Sequence, residues 1–272
     1  MELIKTYPGS LFKEIKFFYS VLAKPEEHGN KMQRRLPDGT LDIIFNLGDE
    51  VYISDNGTEY TSMPDISLTG LYHDKKFLYY KGKVHLIGAV FNPGFGHLFV
   101  NDKLTAHGAC TQNATLIFGN AIYNLIEQMR ELSGEKEKHF LLERFLFAQL
   151  QKSKDSYNIR RIELVINHIH LLNGHAEIKK LSKDHFMSER NFRRKFIEYV
   201  GLPPKRYASI IRVKTFCKSY KSGTVSYRQI ADNLMYADTS HLYKDFRKIT
   251  GTDPASYFRQ MSLIGDKYID LI

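Results

Sequence analysis

The residues of this chain best suited to chemistry are three arginines within five consecutive positions, Arg190, Arg193 and Arg194. Apolar residues around them recur at helical spacing. When Phe192 is set at zero and ~100° is added per residue, Phe196 and Tyr199 lie within ~40° of it, but the arginines lie between ~100° and ~200°. The pattern predicts a helix whose guanidinium groups point away from the core, free to bond phosphates or base edges.

A second helical segment, 50 residues downstream, has the same layout. Leu242, Phe246 and Ile249 form its apolar stripe, and the residues opposite them are Ser240, Tyr243, Lys244 and Arg247. A helix fits the DNA major groove, where arginine pairs with guanine, lysine reaches guanine or phosphate, and serine or threonine contacts several bases. The alternative is that each face is the solvated side of an ordinary amphipathic helix.

Both helices belong to an internal repeat. The pattern F-x4-G-x2-P-x2-Y begins at Phe196 and recurs at Phe246, 50 residues later. Upstream, Leu181-Ser182 corresponds to Ile230-Ala231 at an offset of 49, which predicts one inserted residue in the turn of the second copy. A solenoid is the alternative, but solenoids need about three or more repeats to bury their faces.

The repeat has the order of a helix-turn-helix unit. In each copy a helix of about two turns precedes a turn and a second helix that starts at an N-cap residue, Ser188 or Asp238. Ser226 and Gln229 form a capping box, which sets the start of the first helix of the second copy. The second helices are therefore expected at about 189–199 and 239–249, and two duplicated basic faces favour nucleic acid as the partner.

Length and charge limit the class of protein. A chain of 272 residues, 43% hydrophobic, suits about two domains and is too apolar to be disordered. It lacks an apolar stretch of the ~18 residues needed to span a membrane, and no signal-peptide core is visible, so a cytoplasmic location without membrane contact is expected. Residues 1–150 carry 16 Lys and Arg against 18 Asp and Glu, whereas residues 151–272 carry 23 against 12. All of the basic excess lies in the half that contains the repeat.

The C-terminal residues resemble the DNA-binding domain of AraC/XylS-type bacterial transcription regulators. The resemblance rests on three segments, LSKDHFMSERNFRRKF, GLPPKRYASIIRV and QIADNLMYADTSHLYKDFRKITGTDPASYFR. It implies seven helices, with a long connector over about 204–220 that holds two recognition helices in adjacent major-groove segments. It also implies double-stranded operator or promoter DNA and RNA polymerase as partners.

The resemblance assigns roles residue by residue. Base or groove contacts would come from Arg190, Asn191, Arg193 and Arg194 in the first recognition helix and from Thr239, Ser240, Tyr243 and Lys244 in the second. Backbone phosphates would be contacted by helix N-termini and by Lys205, Arg206, Arg228, Arg247 and Lys248.

The sequence departs from the family where glycine is usual in the two turns. Phe186 stands in the first turn and Met235 in the second, and a non-glycine residue in the left-handed conformation costs roughly 1–2 kcal/mol. Asp245 also places an acid beside the second reading face, so the first recognition helix is expected to contribute more to affinity.

The N-terminal half has a different pattern. Short β-branched or aromatic runs predict strands near 41–47, 66–71, 77–80 and 84–91, and helical spacing follows over 116–132 and 139–150. The segments LPDGTLDIIFNLGD and LIGAVFNPGFGHLF resemble the small cupin-like domain attached to one branch of these regulators. That resemblance implies a domain that binds a small effector or forms a homodimer.

The predicted architecture is therefore an α+β domain, with a small cupin-like sheet plus helices, followed by an all-α domain with two helix-turn-helix units joined by a long helix. The expected limits are 1–150 for the effector-sensing or dimerisation domain, 157–260 for the DNA-binding domain and 261–272 for a C-terminal tail. The polar stretch over 151–157, where the charge balance changes, marks the boundary.

Enzymatic alternatives have weaker support. The histidines of this half (His73, His85, His97 and His107) lack the H-x-H spacing with a following Glu, and Cys110 and Cys217 suit inert thiols. No catalytic residue, metal or cofactor is therefore predicted. A cluster of aromatic residues could line an apolar pocket or simply form core: Phe45, Tyr52, Tyr72, Phe77, Tyr79, Tyr80 and Phe91. The functions left open beside a regulator are a constitutive DNA-binding protein with a structural N-terminal domain, and a cupin-type metalloenzyme with a DNA-binding appendage.

Overall fold

The computed structural model describes residues 1–9, 12–29, 32–72, 75–100, 111–152, 157–221, 223 and 226–259. Its described strands are β1 (Glu2–Thr6), β2 (Ile15–Ala23), β3 (Gln33–Arg35), β4 (Leu41–Asn46), β5 (Val51–Ser54), β6 (Thr61–Ser62), β7 (Ile66–Gly70), β8 (Lys76–Tyr80), β9 (Val84–Phe91) and β10 (Gln112–Asn113). Its described helices are α1 (Pro25–His28), α2 (His97–Val100), α3 (Thr115–Phe118), α4 (Ala121–Glu131), α5 (Glu135–Leu150), α6 (Tyr157–Leu171), α7 (Ile178–Asp184), α8 (Glu189–Val200), α9 (Pro204–Lys221), α10 (Tyr227–Asn233), α11 (Thr239–Thr250) and α12 (Pro254–Arg259).

The strands form two antiparallel sheets. One has six strands in the order β1-β2-β9-β4-β7-β10, and the other has four in the order β3-β8-β5-β6. β9 lies between β2 and β4, with Ala89 opposite both Phe18 and Ile43. The predicted α+β fold, with a cupin-like sheet in the N-terminal domain, is confirmed.

The six-stranded sheet is buried on both faces, because successive side chains of a strand point to opposite sides. On β4, Ile43 and Phe45 pack into the core beneath α4 and α5. Ile44, between them, packs into a second core beneath the four-stranded sheet. This double burial explains why β4 has an almost continuous apolar sequence rather than an alternating one.

The helices after the sheets differ from the expected pair. The apolar pattern over 116–132 is divided between α3 and α4, because Gly119, with φ of 66°, ends the first of them. Four strands were predicted close to their observed limits, but β1 and β2 were not. Lys5 and Lys16 interrupt the apolar residues of β1 and β2, which hides their alternation in the sequence.

Seven helices, α6 to α12, make up the described part of the C-terminal half, the number that the resemblance implied. Each repeat motif closes one recognition helix. Phe196 and Tyr207 meet edge to face with ring centroids 5.6 Å apart, and the second copy repeats this contact, also at 5.6 Å. Between them Gly201, at φ of 79°, ends α8, and Pro204 begins α9. The glycine supplies a left-handed cap and the proline a preformed first helical turn.

The two halves share core residues. Leu36, from the N-terminal half, is 3% exposed and lies in the core of the helical half. Nearby, Gly39 packs so closely on Tyr207 that a Cβ there would lie 2.6 Å from the ring carbon Cε2. His97 contacts Tyr199 edge to face at 4.5 Å. The segment 36–40 is therefore a contact between the sheet and the connector helix α9.

α5 ends at Leu150 and α6 begins at Tyr157, around the predicted boundary. The exact domain limits stay a prediction, and the predicted tail over 261–272 lies outside the described residues. No helix in the described part of the chain is long and apolar enough to cross a membrane.

Candidate DNA-binding surface

The turn of the first helix-turn-helix unit is a Schellman motif. The N–H of Met187 donates to the carbonyl of Ser182 at 2.8 Å, and the N–H of Phe186 donates to that of Lys183 at 2.9 Å. These two bonds satisfy carbonyl groups that the end of α7 would otherwise leave unpaired. The second unit has both bonds 49 residues later, at 2.9 and 3.0 Å, so the two turns have the same backbone structure.

The inserted residue of the second unit follows this shared turn. Tyr236 corresponds to Met187 at an offset of 49, and the N-cap residues Asp238 and Ser188 correspond at an offset of 50. Ala237 is therefore the additional residue. It lies after the turn and before the recognition helix, where it disrupts neither cap.

Phe186 and Met235 occupy the left-handed position of the turns, with φ of 54° and 56°. Both side chains point to solvent, and Phe186 is 92% exposed. The turns therefore keep the usual geometry without glycine. In the first turn the backbone carbonyl of His185 also accepts a hydrogen bond from Arg161 of α6 at 2.9 Å, which supports the strained segment.

The first recognition helix, α8, begins at its predicted N-cap. Ser188 Oγ accepts from the N–H of Asn191 at 3.3 Å, and three aromatic residues of the helix are buried, Phe192, Phe196 and Tyr199. Arg190, Arg193 and Arg194 are exposed on the other side, as the periodicity predicts. The structure thus brings the predicted reading residues of this helix onto one accessible face.

Two acids for which the sequence pattern predicted no role pair with these arginines. Glu189 accepts from Arg193 at 2.6 Å, and Glu198 forms an ion pair with Arg194 at 3.3 Å. Asn191 Oδ1 also accepts from Arg194 at 2.9 Å. The spacing of four residues between acid and arginine was the available signal. Exposed pairs of this kind contribute only ~0.3–0.5 kcal/mol, so DNA can replace them at little cost.

The second recognition helix, α11, begins at Asp238, whose Oδ1 accepts from the N–H of His241 at 2.7 Å. Ser240, Tyr243 and Lys244 are exposed, and Thr239 is half-buried at the first position of the helix. The Tyr243 ring packs edge to face on Tyr227 at 6.0 Å, which restricts its orientation.

Asp245 does not lie on the reading face. Its side chain is 13% exposed and points inward, where Oδ2 accepts from Tyr236 Oη at 3.1 Å and lies 4.0 Å from a guanidinium nitrogen of Arg212. The expectation of an acid beside the second reading face is therefore wrong, because a residue of α9 and one of the preceding turn hold the carboxylate inside. The carboxylate of Asp245 therefore does not lie on the face formed by Ser240, Tyr243 and Lys244.

The residues predicted to contact phosphates lie around both units. Lys205, Arg228, Arg247 and Lys248 are exposed, and Arg206 is half-buried near the start of α9. Lys205 and Arg206 follow the first recognition helix, Arg228 lies in α10, and Arg247 and Lys248 lie in the last turn of α11.

The N-terminal domain contains a cavity between its two sheets with a volume of about 80 Å³. Of the seven aromatic residues that could line a pocket or form core, only Tyr80 borders it. Phe17 and Tyr19, which were not among the seven, border it as well. Phe45 and Phe91 belong instead to the core beneath α4 and α5. A buried ion pair lies beside the cavity, where Arg35 donates to Asp42 at 2.5 Å. Burial raises the pKa of Asp42 to about 6.

The described histidines of this domain have protein partners. His85 Nε2 lies 3.1 Å from Glu135, and His97 Nδ1 lies 2.8 Å from the carbonyl oxygen of Gly94. His73, His107 and Cys110 lie outside the described residues. Cys217 is fully buried in α9, and burial raises the pKa of its thiol. Within the described ranges no three His, Cys, Asp or Glu residues lie close enough together to hold a metal ion.

Two family models match the chain. Residues 181–260 match a family described as "Helix-turn-helix domain", and residues 8–107 match a family described as "Domain of unknown function (DUF6597)". No curated protein matches the chain.

Solved structures that match this chain include ToxT from Vibrio cholerae, at 11% identity and a TM-score of 0.49 over 90% of this chain and 98% of that one. The AraC-like transcriptional activator CuxR matches at 14% identity and a TM-score of 0.29 over 76% of this chain and 74% of that one. A cupin domain of an XRE family transcriptional regulator from Enterobacter cloacae matches at 16% identity and a TM-score of 0.26, over 34% of this chain and 96% of that domain.

Two helix-turn-helix units are joined by an 18-residue helix, and residues 181–260, which contain both units, match a helix-turn-helix family. The chain therefore contains a helix-turn-helix domain, a class of domain that binds DNA.

Proposed function

We propose that this chain is a transcriptional regulator of the AraC type that recognises a specific operator by inserting α8 and α11 into adjacent major-groove segments on one face of the DNA. The main support is that two helices with the same caps and turns present accessible reading residues on a shared connector. Arginine on α8 suits guanine, whereas serine, tyrosine and lysine on α11 suit a mixture of bases and phosphates. The first helix, with three arginines, supplies more of the affinity in this proposal.

The first experiment identifies the operator and measures its affinity. Genomic fragments bound by the full chain are selected and sequenced, and one fragment is titrated by fluorescence anisotropy beside a scrambled sequence. Affinity for the operator should fall with salt at a log-log slope near −0.9 per phosphate contacted, and the preference over scrambled DNA should persist. Equal affinity for both DNAs would refute sequence-specific recognition.

Two substitutions separate base reading from phosphate contact. Arg194→Ala should cost ~1–3 kcal/mol and relax the preference at one base position, because the guanidinium is assigned to a base edge. Lys248→Ala should weaken operator and scrambled DNA about equally, because a phosphate contact carries no sequence information. If both substitutions reduce affinity uniformly, the division into reading and positioning residues is wrong.

We further propose that a small effector bound by the N-terminal domain modulates DNA binding. The support is a direct contact between the two domains. Leu36 and Gly39 lie in one short segment that contacts the helical core and the Tyr207 ring. The same segment continues into Asp38 and Thr40, which border the cavity between the sheets. A ligand that moved this segment would therefore move its contact with α9.

We also propose that two copies of the chain form a dimer and that the protein contacts RNA polymerase. In this proposal the protein catalyses no reaction. Sedimentation of the full chain with and without operator DNA measures pairing, and transcription from the operator in a purified system measures the effect on polymerase. Operator affinity unchanged by every metabolite tested would favour the constitutive DNA-binding protein. Metal analysis of the purified protein tests the remaining alternative, a cupin-type metalloenzyme.

A further inference from the structure

Arg212 lies in the middle of the connector helix α9, and its side chain contacts both helix-turn-helix units. One terminal nitrogen, Nη2, donates to the backbone carbonyl of Gly174 at 3.0 Å, in the loop that leads from α6 into the first unit. The other, Nη1, lies 4.0 Å from the carboxylate of Asp245 on the second recognition helix. The Arg212 side chain is 15% exposed, so one largely buried guanidinium group joins the two units.

On the side of the first unit, backbone packs against backbone. Gly174 has φ of 79° and follows Asn173, another left-handed residue, at the end of α6. Its N–H donates to the carbonyl of Ile169 at 2.9 Å, which closes that helix. A Cβ at Gly174 would lie 2.3 Å from the carbonyl oxygen of Ala208 and 2.7 Å from the backbone nitrogen of Arg212. The loop therefore lies directly on α9, with its carbonyl held in front of the guanidinium group.

On the side of the second unit, Arg212 contacts the turn as well as the recognition helix. Its guanidinium carbon lies 5.0 Å from the ring centroid of Tyr236, the turn residue whose N–H donates to the carbonyl of Ala231. Tyr236 Oη donates to Asp245 Oδ2 at 3.1 Å, so ring, carboxylate and guanidinium form one cluster. Arginine suits this position because its planar group stacks on an aromatic ring while its terminal nitrogens bond in fixed directions.

Two aromatic side chains of α9 each contact a single unit. Tyr207 meets Phe196 of α8 with ring centroids 5.6 Å apart, and Phe216 meets Phe246 of α11 at 5.2 Å. Apolar attraction is non-directional, whereas a hydrogen bond has a preferred angle. Of these three side chains of α9, Arg212 is the one that contacts both units, and its contacts are the directional ones.

We propose that Arg212 is a positioning residue that sets the angle and separation of the two recognition helices, and with them the spacing of the two groups of bases that the protein reads. One added base pair moves the second group by ~3.4 Å along the DNA axis and turns it by ~35°. A connector with fixed units rejects such shifts, whereas one with movable units tolerates them. The effect on operator spacing rests on the proposed function, but the effect on the angle between the units does not require DNA.

One experiment measures the separation of the units without DNA. Spin labels are attached to the full chain at Lys183→Cys and Asp232→Cys, two exposed positions that correspond in the two units. The background carries Cys110→Ser, and Cys217 stays because it is fully buried. Pulsed electron resonance then gives the distribution of distances between the labels. The original chain should give one narrow peak, and Arg212→Met, which removes the guanidinium group, should lose it in favour of a broad distribution.

Three further variants test the explanation. Arg212→Lys keeps the positive charge but presents one nitrogen instead of two, so it should broaden the distribution as Arg212→Met does. Asp245→Asn keeps the size of the side chain, removes the charge that faces Arg212 and should broaden the distribution as well, which keeps the test available if Arg212→Met does not fold. Arg161→Met is the matched control and should keep the narrow peak, because Arg161 donates to the carbonyl of His185 at 2.9 Å and so joins α6 to the first turn only.

A second experiment measures spacing on the operator. Arg194→Ala and Ser240→Ala mark the base positions read by α8 and α11, and operators are built with one base pair added or removed between them. Each change should weaken binding by the original chain at least about 10-fold, since one helix loses its base contacts. The same changes should weaken binding by Arg212→Met only about threefold, because its second unit can follow the shifted bases. Arg161→Met should keep the full penalty.

Three results would overturn the role of Arg212. They are a narrow peak in both Arg212→Met and Asp245→Asn, equal broadening in Arg161→Met, and an unchanged spacing penalty in Arg212→Met. Equal affinity of the original chain for operator and scrambled DNA would instead refute the proposed function. The label distances would still decide whether Arg212 holds the two units, because they are measured without DNA.

Discussion

Lys214 makes the stability of this protein depend on pH in a direction that the structure determines. Its pKa is lowered from 10.5 to about 7 in the folded chain, first by burial and then by the charge of Lys16. Between pH 7 and 10.5 the unfolded chain holds a proton that the folded chain has released. Stability should therefore rise with pH across this window, whereas below pH 7 both states are protonated and the penalty stays constant.

The magnitude follows from the size of the shift. One proton gives a slope of at most ~1.4 kcal/mol per pH unit, so a pKa lowered from 10.5 to about 7 gives a total of about 5 kcal/mol. Lys214→Met keeps a chain of similar length and removes the charge, so the variant should be the more stable protein at pH 6, and its advantage should shrink towards pH 10.

The assay is urea unfolding of both proteins at a series of pH values from 6 to 10. Each protein gives a curve of unfolding free energy against pH. Subtracting one curve from the other cancels the titration of other groups, apart from those that face Lys214. Those groups are Lys16, Asp38, Asp42, His170 and Lys218. Lys205→Met, an exposed lysine on the same helix, is the control and should give a flat difference. A flat difference for Lys214→Met as well would refute the claim of a buried, destabilising charge.

The other predictions concern backbone conformation and packing. Phe186→Gly should stabilise the chain by about 1 kcal/mol in urea unfolding, since it removes a strained left-handed residue whose side chain is 92% exposed. Phe186→Ala keeps the Cβ and should give no gain, so equal gains would contradict the explanation. Gly39→Ala should cost ~2–4 kcal/mol, because it adds left-handed strain and a clash with Tyr207. An unchanged unfolding free energy for Gly39→Ala in the same assay would show that the contact with Tyr207 adjusts to a methyl group without cost. Ser188→Ala should cost ~1 kcal/mol through loss of the N-cap, and an unchanged midpoint would contradict the cap assignment.

Much of the helical half could be predicted because its signals are local. N-caps, the capping box and the apolar stripe act within a few residues along the chain, and the structure shows Ser188, Asp238 and Ser226 capping as expected. The F-x4-G-x2-P-x2-Y pattern was visible as a repeat, but its physical meaning, an aromatic pair closing each recognition helix, needed the ring contacts.

The N-terminal half was harder to predict, because its strands pair over long separations. β2 lies between β1 and β9, and the lysines that interrupt both early strands hide their alternation. The aromatic residues on the strands could be assigned to either face only once the register was known. The register shows that of the seven aromatic residues for which pocket and core were both open, only Tyr80 lines the cavity.

Helical period and capping are properties of neighbouring residues, so two duplicated helix-turn-helix units with outward basic faces can be derived from the amino-acid order alone. The positions of the remaining charges depend on the folded arrangement. Asp245 turns inward because Arg212 and Tyr236 are there to receive it, and Lys214 is buried because a separate domain covers it. The free energy of a charge depends on its whole surroundings, and folding assembles those surroundings from distant parts of the chain.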